Sequence, residues 1–156
     1  MRTDLEDLVR NYLHQGQLLH LSTQSNEGLW MCHVWYAIGS DYKELIWPSN
    51  YSRRHSKEIR HNSAVAGGVV AIELDGLGQD VRGLSFQGQA EELTGDNITD
   101  AYDHYAKRWP NVRDMFSPAD IQAGETDNRM YKVDVEKFAL WDEVNYPQDP
   151  KQELTF

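Results

Sequence analysis

Six consecutive residues, Ser52-Arg53-Arg54-His55-Ser56-Lys57, bring three cations, a histidine and two hydroxyls together in a chain that is otherwise acidic. The segment is nearly free of apolar residues up to Ile59, so it reads as the start of a short, largely exposed helix. Arginines in the first turn of a helix oppose the macrodipole, which favours anions there. Helix stability alone does not select them. A bound phosphate would remove the conflict, because N-terminal amides, a serine hydroxyl and forked guanidinium donors all satisfy phosphate oxygens. The alternative is a solvated basic face, or ion pairs with the acidic surface. Immediately before the cluster stand Trp47-Pro48-Ser49-Asn50, and before those the aromatic run Cys32-His33-Val34-Trp35-Tyr36. Apolar walls beside a phosphate grip would suit a flat, phosphorylated cofactor, although any one of these aromatics could equally be core filling.

Other chemistry is thinner. His20, His33, His55, His61 and His104 lack the spacing of a metal site, such as two histidines four apart on a helix. Cys32 would need a paired base and an electropositive setting to act as a nucleophile, and a buried, inert thiol is the simpler reading. Asp100, Asp103 and Asp114 read as solvated helix faces. The acidic pair in Glu73-Leu74-Asp75 has no partner that suggests acid/base catalysis.

The scaffold that must carry these residues has 156 residues, 40% of them hydrophobic, with five Trp, eight Tyr and four Phe. That is one ordinary domain with enough apolar surface to fold without a staple. A formal net charge of −10 disfavours a nucleic-acid backbone as partner. The single Cys32 excludes an internal disulfide. No apolar run approaches a membrane span, and the acidic opening is unlike a signal peptide, so a cytoplasmic protein is expected.

Leu5, Leu8, Val9, Tyr12 and Leu13 mark an amphipathic helix stopped by Gly16, with Thr3 and Glu6 placed as a capping box. Residues 18 to 23, 29 to 38 and 44 to 47 read as three strands of an antiparallel meander. Residues 64 to 74 suggest a strand buried on both faces, its glycines admitting another backbone or a ligand. Alternation through Leu84, Phe86, Gly88 and Ala90 marks a half-buried strand. A helix follows to Trp109, stopped by Pro110, then short helices to Ala123, and a final strand pair from Met130 to Trp141. The expected architecture is mainly β with peripheral helices: a six-stranded antiparallel barrel over residues 1–146, with residues 147–156 as a loose tail.

In this order of elements the chain resembles the FMN-binding split barrels of the pyridoxamine 5'-phosphate oxidase superfamily. The resemblance rests on Leu45-Ile46-Trp47, on Ser52-Arg53-Arg54 opening a helix, on residues 59 to 66, on Arg82-Gly83-Leu84-Ser85-Phe86-Gln87-Gly88-Gln89-Ala90-Glu91, and on the helix from Tyr102 to Pro110. It spans about residues 5 to 140 and is closest to small members without an assigned activity. It implies a homodimer with FMN at the subunit interface. Arg53 and Arg54 would hold the phosphate with help from Ser52 and Ser49, His33, Val34 and Trp35 would line the ring, and Trp47 and Pro48 would flank the ribityl chain. Some split barrels bind haem instead, which would make one histidine an axial ligand.

The pattern departs from the oxidase itself. Ala37 and Gly83 replace a basic residue and a ring-contacting glutamine, and Tyr105 and Arg108, the candidate substrate contacts, stand three apart where the oxidase spaces its pair by four. Genuine pyridoxamine phosphate oxidation is therefore not expected. The resemblance points to an FMN-dependent oxidoreductase of an unidentified small molecule, or to a flavin- or haem-binding protein without turnover.

Overall fold

A computed structural model describes residues 4–156 of the chain. Helix α1 (Leu5–Gln15) buries Val9, Tyr12 and Leu13. Its cap is Asp4, whose carboxylate accepts from the Glu6 amide; the expected Thr3 lies outside the described residues. Strands β1 (Leu18–Ser25) and β2 (Gly28–Trp35) form a hairpin with Leu18 opposite Trp35 and Ser25 opposite Gly28. The tight turn demands φ +99° at Gly28, which a side chain would resist.

After Tyr36 the chain runs directly into β3 (Ala37–Ile38), which pairs with β4 (Glu44–Asn50). Helix α2 (Arg54–His61), β5 (Ala64–Val69) and β6 (Arg82–Glu92) follow. Helix α3 (Asp96–Arg108), a 3-10 turn (Pro110–Asp114) and α4 (Pro118–Ala123) then lead to β7 (Asn128–Asp142) and β8 (Lys151–Thr155). The strand order is β2-β1-β5-β6-β7-β4-β3, every pairing antiparallel, with β8 added along β7. Because β2 and β3 are the two ends of this order yet adjacent in sequence, the sheet must curl upon itself.

Alternation sorts the side chains into two cores. Inside the curl lie Leu19, Leu21, Tyr36, Leu45, Trp47, Tyr131, Val133 and Phe138, closed at one end by α1. On the outer side of β3, β4 and β7, Ala37, Ile46 and Met130 meet Tyr102, Tyr105 and Ala106 of α3. Burial of these apolar faces supplies the main drive for folding.

The mainly β barrel with peripheral helices is present, but with eight strands among the described residues where six were expected. One addition is β3, whose two residues are too few to show a period. The other is β8, which corrects the loose tail: residues 151–155 pair with β7, and Phe156 packs edge-on against Tyr42 and Phe138. Two prolines and polar composition hide this strand, since its pairing is made by backbone groups that carry no sequence signal. Strand β5 is also shorter than expected and buries alternate residues, Val65 and Val69, on one face only. At Gly67 a Cβ would overlap the Phe86 ring and the His20 carbonyl, so this glycine admits backbone and core ring, not a ligand.

Candidate functional site

The pairing of Ala37 with Ile46 and Ile38 with Leu45 sets a register. Continued backwards, it would place Trp35 opposite Pro48 and Val34 opposite Ser49. No such pairing forms: β2 turns to β1, β4 stays with β7, and the sheet splits. Pro48 assists by offering no N–H to a neighbouring strand. A cavity of about 810 Å³ opens at the split, bounded by His33, Val34 and Trp35 on one strand and Pro48 and Ser49 on the other. This lies within the usual small-molecule range of about 300–1,000 Å³.

One end is polar. The Arg53 amide donates to the Asn50 carbonyl (3.2 Å), and the Asn50 side chain accepts from the Ser52 amide (2.8 Å) and hydroxyl (2.7 Å). This turn delivers the chain into α2 with Arg53 at the cap, no side-chain cap and no acidic residue in the first turn. Arg53 borders the cavity, is exposed, and makes no ion pair among the described residues. His55, one residue into the helix, is only 7% exposed and its Nε2 lies 2.8 Å from Ser49 Oγ. Burial, and then the nearby Arg53 charge, push the imidazole below its ordinary pKa, against the pull of Glu58.

The other end is apolar. Trp35 meets Trp109 edge-on at 5.1 Å, and Val112 and Phe116 extend the wall. The Tyr105 hydroxyl donates to the Trp35 carbonyl (3.2 Å) and Trp109 Nε1 to the Tyr36 carbonyl (2.8 Å), so α3 and its exit fix the backbone at the end of β2. Burial raises the Tyr105 phenol to about 12, which keeps it a donor at neutral pH.

Six of the nine expected cofactor contacts thus share one cavity: His33, Val34, Trp35, Pro48, Ser49 and Arg53. Trp47, Ser52 and Arg54 do not. Trp47 is one residue out of phase with Pro48, so strand alternation turns it into the barrel, fully buried and stacked on Tyr131 at 5.8 Å. Ser52 and Arg54 line a neighbouring polar cleft with Lys57 and His61. There Arg54 Nε lies 3.0 Å from the buried Glu58 carboxylate and 3.9 Å from Glu27, and the guanidinium covers Trp30. Arg53 is still in extended conformation at the cap while Arg54 opens the helix, so the two arginines are directed to different clefts. Of the two candidate substrate contacts, Tyr105 lines the cavity and Arg108 does not: its guanidinium donates to the carbonyls of Leu13, His14 and Gly16 and closes the end of α1.

Sequence reasoning missed His55, Trp109, Asn111 and Asn128 on the cavity wall. His55 sat within the cationic cluster, three residues after Ser52, but its partner Ser49 could be identified only from the turn geometry. The histidines are also not all isolated. His20 and His33 face each other across β1 and β2 with Nδ1 atoms 2.7 Å apart, one donating to the other. Burial, followed by its neighbour His33, lowers the His20 pKa. Among the described residues no group of three or more His, Cys, Asp or Glu side chains is placed to hold a metal. No helix among them is long and apolar enough to cross a membrane.

No family model matches the chain. A UPF0306 protein of Photorhabdus laumondii is 24% identical over 108 residues, covering 69% of this chain and 74% of that relative. Among solved structures, a haem-binding protein from Mycobacterium smegmatis superposes with a TM-score of 0.73 at 16% identity over 99% of this chain. The chain spans only 59% of the length of that protein. A pyridoxamine 5'-phosphate oxidase-like protein of Listeria innocua gives 0.63 at 21% identity, covering 88% of this chain and 98% of that one. A FAD-binding protein of Mesorhizobium loti gives 0.64 at 18%, covering 87% and 92%. The fold is that of the pyridoxamine 5'-phosphate oxidase-like split barrels.

Proposed function

We propose that the cavity at the split holds FMN and that the chain is a flavoprotein of the oxidoreductase class, acting on a small molecule other than pyridoxamine phosphate. The observation that carries this reading is the cavity's polarity: Arg53, free of any ion pair among the described residues, stands at an uncapped helix N-terminus on one end, and Trp35 and Trp109 stand on the other. A phosphate satisfies the cation and the amides together, and a flat ring system suits the aromatic end. Arg53 and Ser49 would hold the phosphate, and the backbone from His33 to Trp35 would border the ring. The flavin would supply the electron transfer, and the protein its orientation and electrostatics. The likeness to a FAD-binding protein agrees with this assignment.

The site is proposed to lie against a second copy of the chain. Strand β2 is a sheet edge that exposes Leu29, Met31 and Trp35, with exposures of 76, 56 and 51%, on the same face as His33. An apolar edge of this kind invites a covering partner. Met31→Glu should shift the protein from dimer to monomer in light scattering coupled to size exclusion; a monomeric wild type would remove the dimer.

Titration with FMN, followed by flavin fluorescence, tests the cofactor. Arg53→Ala should weaken binding about 10- to 100-fold, the loss of a hydrogen bond to a charged group, without lowering the melting temperature. Unchanged affinity would refute the phosphate assignment. Reduction of bound flavin by NADH or NADPH, with turnover, would separate an oxidoreductase from a carrier.

The second reading is haem binding without turnover. It is favoured by the exposed His33 at the cavity wall and by the likeness to the mycobacterial haem-binding protein. A Soret band lost in His33→Ala would establish it in place of the flavin.

A further inference from the structure

His55 and Ser49 form a pair that phosphate binding by itself does not require. His55 is nine-tenths buried, its Nε2 lies 2.8 Å from Ser49 Oγ, and both residues border the cavity beside Arg53. A serine hydroxyl has one proton. If that proton is given to an imidazole lone pair, the oxygen turns only lone pairs toward the cavity and repels an anion. If the ring instead donates from Nε2, the serine proton is free to point at an incoming oxygen.

We propose that His55 is a positioning residue that donates from Nε2 to Ser49 Oγ and so directs the serine proton at the phosphoryl group, making the cavity selective for a phosphorylated ring cofactor over its unphosphorylated form. This rests on the flavin reading above. Burial and the Arg53 charge favour a neutral ring, which suits this role: the Nε2–H tautomer aligns the hydroxyl without adding a second buried charge. Arg53 supplies the attraction, and the His55–Ser49 pair supplies direction. Glu58 acts on the same ring from α2, while His33 of β2 and Tyr105 of α3 border the cavity from other elements.

The test compares FMN with riboflavin, which has the same ring and no phosphate, in fluorescence titrations of wild type, Ser49→Ala, His55→Leu, His55→Gln and the Ser49→Ala/His55→Leu double variant. Losing one hydrogen bond to a charged group should weaken FMN about tenfold in Ser49→Ala. His55→Leu keeps the hydroxyl but no longer directs it, and should weaken FMN measurably but by less, and the double variant should lose no more than Ser49→Ala alone. Riboflavin affinity should be unchanged. His55→Gln, whose amide can donate to Ser49, should restore FMN affinity to within about twofold of wild type.

Equal losses for FMN and riboflavin would mean that His55 merely supports the fold, and would overturn the proposal. So would failure of His55→Gln to restore affinity, or additive losses in the double variant. If His55→Leu does not fold, Ser49→Ala still decides, because unchanged discrimination between the two flavins in that variant refutes the pair. Wild type that binds FMN beside unaffected variants overturns the pair alone; wild type that binds neither flavin removes the cofactor reading and the pair with it.

Discussion

Replacing Arg54 by Ala should cost stability and leave the cofactor site intact, the reverse of Arg53→Ala. Arg54 Nε lies 3.0 Å from Glu58 Oε1; Glu58 is 5% exposed, and the Arg54 side chain 31%. Breaking a fully buried ion pair costs ~3–5 kcal/mol, and a surface pair is worth ~0–1 kcal/mol. Arg54's partial exposure places its loss between these limits, at about 2 kcal/mol. In a chain of 156 residues that corresponds to a fall in melting temperature of about 4–8 °C. Burial opposes the charge on Glu58, but hydrogen bonds from Ser25, Arg54 and Thr23 outweigh it and hold the carboxyl below its ordinary pKa. The folded protein therefore binds this proton less readily than the unfolded chain. The associated stability is complete above the unfolded carboxylate pKa and is lost as pH falls through the lower folded value. Melting followed by circular dichroism should show the deficit of Arg54→Ala at pH 7 and a narrowing toward acid pH, and adding Glu58→Gln to Arg54→Ala should recover part of it at pH 7. Equal melting temperatures at pH 7, or a deficit independent of pH, would refute the assignment of Arg54 to the scaffold.

Arg108→Ala leaves the His14 and Gly16 carbonyls without their side-chain donor, while the Leu13 carbonyl keeps the Tyr36 hydroxyl, and should lower stability by about 1–2 kcal/mol in denaturant melts while FMN affinity stays unchanged; a selective loss of ligand affinity would return Arg108 to the site. Burial raises the Cys32 thiol to about 11. Its alkylation by iodoacetamide at pH 8 should then run roughly 100-fold slower than that of a free thiol, because so little thiolate is present; labelling at the free-thiol rate would contradict its burial.

Much of the scaffold was legible because it rests on local periodicity. The helix spacing of Val9, Tyr12 and Leu13 and the alternation of Leu84, Phe86 and Ala90 both match the buried faces observed. Arg53 could be chosen for its chemistry and Ser49 through the family resemblance, and both border the cavity. Arg53 and Arg54, by contrast, are indistinguishable as a dipeptide. Their separation depends on the direction in which α2 leaves the Asn50 turn and on the buried Glu58 that captures one of them.

Residue types and spacing by themselves determined a mainly β domain with a cationic helix start beside an aromatic strand. Only the tertiary structure decided which of those residues meet. The cavity exists because a two-residue pairing, Ala37–Ile38 with Leu45–Ile46, ends where β2 and β4 part toward different neighbours. The His55–Ser49 pair, the His20–His33 pair and the strand at residues 151–155 arise in the same way. Each joins segments through backbone direction and register, which are set by how the whole sheet closes over its core and leave no local period in the sequence.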